Sequence, residues 1–162
     1  MILAAFTLFH VVLSLVGIAA GIVVLRGLLT ANWSDRWTMV FLTTTAATSV
    51  TGFLFPVHQF LPSHAIGILS LIVLAVAFPS LYVFQLAGGW AKTYVITSVI
   101  ALYFNVFVLI VQLFLKVPPL RAMAPTQSEP PFAVAQGIVL LLFAVLGYRA
   151  ATKFHGQPLR TA

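Results

Sequence analysis

The sequence predicts an all-α, polytopic transmembrane helix bundle of about five spans, with the N-terminus outside and the C-terminus in the cytoplasm. Of the 162 residues, 62% are hydrophobic and only 6% are charged, and the mean hydropathy is +1.13. Soluble domains, by contrast, are about a quarter charged. Hydrocarbon cannot form hydrogen bonds with exposed backbone groups, and the alternating pattern of barrel strands is absent. Helices are therefore expected to cross the membrane. We expect one transmembrane domain over residues 1–162.

Five apolar segments approach the ~20 residues that a helix needs to cross hydrocarbon. The predicted spans are residues 4–26, 38–57, 65–86, 93–116 and 132–149. The first has no basic region before it and no small-residue cleavage site after it, which predicts a retained span rather than a secretory signal. Pro56 is expected to end the second span, and Pro79 to kink the third. The Pro-rich residues 117–131 are expected to form an extended connector before the fifth span.

The distribution of Lys and Arg predicts the orientation. Six basic residues fall on the predicted cytoplasmic side, namely Arg26, Arg36, Lys92, Arg149, Lys153 and Arg160. Only Lys116 and Arg121 fall on the other side, and cytoplasmic loops carry the excess of positive charge. Trp33, Trp37, Trp90 and Tyr94 are expected at the cytoplasmic headgroup level. The net charge of +6 is therefore explained by membrane orientation, and no nucleic-acid partner is expected.

Several residues are expected to pack helices together: Gly17, Gly21, Thr48, Gly52 and Asn105. Small residues let helix backbones approach closely, and a buried amide near mid-membrane requires a hydrogen-bond partner. Thr48 and Gly52 belong to a run of hydroxyl-bearing and small residues over 43–52, which places the second span at the centre of the bundle. Ser98, Asn105 and Gln112 are seven residues apart and share one stripe of the fourth span.

Polar side chains concentrate in the outer half of the predicted bundle. A cofactor site is one hypothesis, formed by His10, His64, Gln112 and Gln136. Haem b bound by His10 and His64, or a quinone hydrogen-bonded by His and Gln, would fit such residues. Copper or zinc would instead use His10, His58, His64 and Glu129. The alternative is that the histidines are structural and that Glu129 caps the last helix.

Enzymatic turnover is not expected from this sequence. There are no cysteines, which excludes disulfides, Cys-ligated metals and thiol catalysis. The two acids, Asp35 and Glu129, are predicted on opposite membrane faces, where they cannot cooperate. No hydrolase elbow, phosphate-binding loop or HExxH motif is present.

The segments Phe9-His10-Val11 and His64-Ala65-Ile66-Gly67, with Gly17 and Gly21, make the chain resemble small bacterial inner-membrane proteins of uncharacterised activity. The strings TSVTGFLFP and PTQSEPPF contribute to that resemblance. More distantly, the chain resembles haem-b cytochrome membrane bundles. That resemblance implies at most one haem, because spans two, four and five contain no histidine.

Three functions follow as hypotheses from the sequence. The leading one is a non-catalytic accessory or scaffold subunit of a membrane complex, partnered by lipid and by a second copy or other membrane subunits. The second is a redox module that binds one haem b, metal or quinone at the outer-half site. The third is a small transporter or channel, which the scarcity of charged residues in the spans disfavours.

Overall fold

The computed structural model describes residues 1–56 and 62–155, and all regular secondary structure within these ranges is helical. His58, which was predicted as a copper or zinc ligand, therefore lies outside the described residues. Six helices follow in order: α1 (Ile2–Thr30), α2 (Asp35–Gly52), α3 (Pro62–Tyr82), α4 (Gly89–Lys116), α5 (Pro118–Met123) and α6 (Pro130–Lys153).

Four of the described helices are long and apolar enough to cross a membrane, and they lie over Ile2–Thr30, Ser63–Tyr82, Gly89–Lys116 and Pro130–Lys153. The chain thus has the character of a multi-pass membrane protein. The second predicted span is present as α2, but it is not among the four. Its first turn contains Asp35 and Arg36, and its later turns are rich in hydroxyl groups.

The connector before α6 differs from the sequence prediction. Instead of being extended throughout, it contains the short helix α5, which begins at Pro118 directly after Val117. Proline is well suited to the first helical positions, because its fixed φ matches the helix and its missing N–H would have no helical partner there. The pair Pro118-Pro119 therefore starts a helix rather than preventing one.

Neighbouring long helices are antiparallel, as the contacts of His10 with Thr51 and of Gly21 with Phe41 show for α1 and α2. The α2 helix lies between α1 and α3 and packs against both. The α4 helix packs against α1, α2, α3 and α6, so α4 is the central helix, and the expectation that the second span takes this place is wrong. We call the end of the bundle that holds residues 26–36, 83–92 and 149–155 the basic end. The other end, which holds Met1, residues 53–56 and residues 117–129, is the opposite end.

The apolar core lies in the half of the bundle near the basic end. It combines side chains from five helices, including Leu28, Phe41, Leu81, Tyr94 and Leu102, each at most 1% exposed. At the opposite end, α1 is much less covered: Leu8, Phe9 and Val12 are each at least half exposed. Helix packing is therefore tight near the basic end and sparse where the predicted site lies.

The turn from α1 to α2 is fixed by backbone geometry. Ala31 adopts a left-handed conformation with φ 54°, and the Asn32 N–H donates to the Gly27 carbonyl at 3.0 Å. A Cβ at Gly27 would lie 2.6 Å from the Asn32 carbonyl oxygen, so glycine is required there. The following residue, Trp33, contacts the rings of Tyr94 and Phe154 and joins this turn to α4 and the end of α6.

Candidate functional site

His10 is bonded to the last turn of α2. Its Nδ1 lies 2.8 Å from Thr51 Oγ1, and its ring meets Phe55 edge-on at a centroid distance of 5.1 Å. Phe6 lies one helical turn before His10 and contacts the same Phe55 ring at 4.9 Å. Gly52 borders the imidazole, because a Cβ built there would lie 3.8 Å from His10 Cε1. One side of the imidazole is thus held by α2 and by the ring of Phe55, which Phe6 supports.

His64 lies near the start of α3 and is buried. Its ring contacts Phe53, just beyond the end of α2, at a centroid distance of 5.7 Å. Because α2 lies between α1 and α3, His10 and His64 approach the end of α2 from the two helices that flank it. The structure therefore brings both histidines to the same segment, residues 51–55, but from separate helices.

The two glutamines of the predicted site belong to α4 and α6. Gln136 is buried and donates from Nε2 to the Phe107 carbonyl at 3.2 Å, while its Oε1 is buried without a hydrogen-bond partner. Gln127 makes a similar bond one turn further along, from Nε2 to the Val111 carbonyl at 2.9 Å. Gln112 is half-buried. The glutamine bonds attach α6 and its connector to α4, so these groups hold helices together.

This arrangement does not favour one haem bound by both histidines. Such a haem needs both imidazoles on one iron, whereas His10 bonds to α2 from α1 and His64 packs on Phe53 from α3. Within residues 1–56 and 62–155, no three His, Asp or Glu side chains gather closely enough to hold a metal ion. The copper or zinc set predicted from His10, His64 and Glu129 is therefore not assembled among the described residues.

Glu129 occupies the N-cap position of α6, but its side chain does not cap the helix. The carboxylate turns back and accepts from the Thr126 hydroxyl at 2.9 Å and from the N–H groups of Thr126 and Ser128. Pro130 and Pro131 lack N–H groups, and the next N–H along the helix, that of Phe132, donates to the Glu129 backbone carbonyl at 3.1 Å. Desolvation acts to raise the pKa of Glu129, but the hydrogen bonds to its carboxylate outweigh it and hold the pKa below its ordinary value.

The expected packing residues lie at contacts between helices within the chain. Asn105 Nδ2 donates to Thr45 Oγ1 at 3.0 Å and joins α4 to α2. A Cβ at Gly17 would lie 3.1 Å from Thr44 Oγ1, and one at Gly21 would lie 2.5 Å from Leu102 Cδ1. Thr48 Oγ1 is buried in the same region without a hydrogen-bond partner. Together with Gly52 beside His10, these residues let α1, α2 and α4 approach closely.

The sequence prediction missed the burial of Tyr94 near the basic end. Tyr94, expected at the headgroup level, is fully buried, and its hydroxyl lies close to the hydroxyl groups of Ser98 and Thr38. The spacing of four residues between Tyr94 and Ser98, with Asn105 on the same face of α4, is the signal that would have found it. An aromatic residue near a helix end is not always an interface residue, because a bundle can cover it.

The structure therefore gives one imidazole fixed by a threonine hydroxyl, a second imidazole against the same helix end, and amide groups used in helix contacts. These features suit helix assembly and the binding of one small polar group, and they offer no pair of catalytic acids. No protein family, curated protein or solved structure that was compared matches this chain.

Proposed function

We propose that the chain is a non-catalytic accessory or scaffold subunit of a membrane complex, with α6 as the helix that contacts its partner. The observation that carries this proposal is an uncovered apolar row on α6. The row comprises residues that are each more than half exposed: Val134, Ile138, Leu141, Val145 and Tyr148. Steps of four and three residues alternate along it, which is the spacing of helices that pack side by side.

A notch beside this row supports the same proposal. Gly137 has no atom within 4 Å of the position that a Cβ would occupy, and Ala133, one turn before it, is exposed. Pairs of small residues four apart let a second transmembrane helix approach closely. Gly17 and Gly21 are already covered by α2 and α4, so the small residues of α1 are used within the chain.

The proposed membrane arrangement has five crossings, with α2 as the fifth. Its 18 residues would extend about 27 Å as an α-helix, close to the ~30 Å of a hydrocarbon core. Because α2 is antiparallel to both α1 and α3, its crossing joins two apolar spans that run the same way. The basic end carries Arg26, Arg36, Lys92, Arg149 and Lys153, which favours a cytoplasmic basic end in a bacterial inner membrane.

Disulfide cross-linking tests the proposed contact, because the chain has no native cysteine. We expect Ile138→Cys and Leu141→Cys, each on its own, to form disulfide-linked dimers in oxidised membranes if the partner is a second copy. For a different partner, a photoreactive amino acid at position 138 is expected to give one protein adduct of fixed mass. The matched control is Ile72→Cys on α3, which is 57% exposed but lies outside the row.

Filling the notch provides the second half of this test. Gly137→Leu is expected to remove the cross-links at position 141, while Gly89→Leu, at another glycine with open space around it, leaves them unchanged. The proposal is wrong if the photoreactive amino acid at position 138 gives only lipid adducts, or if cysteines at positions 138 and 141 form no more cross-links than the cysteine at position 72. The α6 row would then be a lipid-facing surface.

A further inference from the structure

The hydrogen bonds around Thr51 favour one tautomer of His10, because the direction of the contact between Thr51 Oγ1 and His10 Nδ1 depends on which ring nitrogen carries the proton. A threonine hydroxyl has one hydrogen and two lone pairs. Thr51 Oγ1 donates that hydrogen within its own helix, to the Ala47 carbonyl at 2.8 Å with a longer contact to the Thr48 carbonyl at 3.2 Å. With its hydrogen placed there, the oxygen accepts from His10. In this arrangement the N–H at Nδ1 donates across the 2.8 Å contact.

A neutral imidazole with its proton on Nδ1 has an unprotonated Nε2. No described residue donates a hydrogen bond to this atom. His10 lies eight residues beyond the start of α1, about 12 Å along the helix axis, where its neighbours Phe9 and Val11 are exposed apolar residues. In the proposed membrane arrangement this part of α1 lies within the bilayer, whose hydrocarbon provides no donor, and an acceptor without a donor costs free energy.

We infer that Nε2 of His10 accepts a hydrogen bond from the hydroxyl group of an amphiphile dissolved in the membrane, either a quinol or a lipid alcohol. Phe55 packs beside the imidazole and Phe6 packs on Phe55, so the two rings supply an apolar surface for the ring or chain of such a molecule. Gly52 leaves the adjoining surface of α2 free of a side chain. An oxidised quinone is disfavoured, because its carbonyl oxygen would face the Nε2 lone pair.

This site is built from residues of α1, α2 and the segment after α2, and it contains none of the α6 row. Its test is therefore independent of the proposed subunit function. Cross-links at positions 138 and 141 can fail while His10 binds a hydroxyl group, and the reverse can also occur.

Nitrogen NMR of isotope-labelled histidine, with the protein in phosphatidylcholine nanodiscs, tests the tautomer. The chain has four histidines, and the signals lost in His10→Gln identify those of His10. We expect a protonated Nδ1 and an unprotonated Nε2 in the wild type and in Thr51→Ser. Thr51→Val keeps the shape of the side chain but cannot accept, so it is expected to mix the two tautomers. A protonated Nε2 in the wild type, or no change in Thr51→Val, overturns the inference.

Titration of the same sample tests the ligand. Duroquinol is expected to move the Nε2 resonance and to bind about 3- to 10-fold more tightly than duroquinone, which differs from it only at the oxygen atoms. Decanol separates the two sources: an equal effect of decanol identifies a lipid alcohol, and an effect of duroquinol alone identifies a quinol. If none of these probes moves the resonance, or if duroquinone binds as tightly as duroquinol, the inference is wrong.

Discussion

Two glycines show how the surroundings of a single residue decide its role. A Cβ at Gly21 would lie 2.9 Å from two ring atoms of Phe41, a side chain that is 1% exposed and has no space to move into. A Cβ at Gly137 would have no neighbouring atom within 4 Å. Both glycines lie inside long helices, so the local sequence does not distinguish them.

We expect Gly21→Ala to lower the free energy of unfolding by about 1–3 kcal/mol, because the added methyl group overpacks the contact of α1 with Phe41 and Leu102. Gly137→Ala is the matched control and is expected to change stability by less than about 1 kcal/mol, in the stabilising direction, because alanine favours helix. Reversible unfolding in mixed micelles, under conditions where the chain is monomeric, measures both. Equal destabilisation by the two substitutions would contradict the packing of α1 described here.

Individual residue roles were partly predictable from the sequence. The need of Asn105 for a partner follows from its depth in an apolar helix, but the choice of Thr45 depends on the rotation of α2 and α4. The outer-half grouping of His10 and His64 follows from helix position alone. The insertion of α2 between their helices is a tertiary feature, and no spacing within one helix encodes it.

At the scale of an element, the loop before α6 is ordered by a single carboxylate. The Glu129 carboxylate accepts hydrogen bonds from Thr126 and Ser128 and so closes a turn. Gln127, between them, has φ 59°, and its side chain donates to the Val111 carbonyl of α4. The turn and the start of α6 are thereby fixed to α4. The sequence indicates a helix start near Pro130 and Pro131, but it does not show that the Glu129 carboxylate bonds to residues that precede it in the chain.

The carboxyl group of Glu129 is expected to titrate below the ordinary pKa of 4.5. Since the folded pKa is lowered, its contribution to the turn is present above the ordinary pKa and is lost as the pH falls through the folded pKa. Glu129 is the single glutamate, so one carboxyl signal from isotope-labelled glutamate reports it by NMR. Thr126→Val is expected to raise this pKa, whereas Ser128→Ala retains the backbone donor and leaves it nearly unchanged. A pKa at or above 4.5 in the wild type would refute the assigned hydrogen bonds.

At the scale of the whole molecule, composition alone was sufficient for the helical, membrane-spanning character. The number of crossings was harder to obtain, because α2 combines helical length with Asp35, Arg36 and many hydroxyl groups. Its place in the bundle depends on contacts with α1 and α3 rather than on its own hydropathy. Hydropathy does not identify α2 as a span, and only one side of it, including Phe41 and Leu42, is buried against neighbouring helices.

Single cysteines in the otherwise cysteine-free chain test the proposed topology in right-side-out spheroplasts. We expect Leu54→Cys and Met123→Cys to react with a membrane-impermeant maleimide, since both exposed residues lie at the opposite end. Asn32→Cys and Lys153→Cys, at the basic end, are expected to react only after permeabilisation. If Leu54→Cys behaves like Asn32→Cys, α2 does not cross and the five-span topology is wrong.

The hydroxyl groups of α2 have a consequence for how the protein is made. Thr44, Ser49 and Thr51 each lie within hydrogen-bond distance of a carbonyl of their own helix, so in the proposed five-span arrangement these groups would enter hydrocarbon already bonded. The charged first turn and the polar stripe nevertheless make α2 a poor candidate for leaving the translocon alone. Since α1 is synthesised first and joins α2 through a short turn, the two are expected to partition into lipid together as a helical hairpin. In the proposed five-span arrangement, Gly17 and Gly21 would then be needed for the α1–α2 contact during insertion, before the later helices pack.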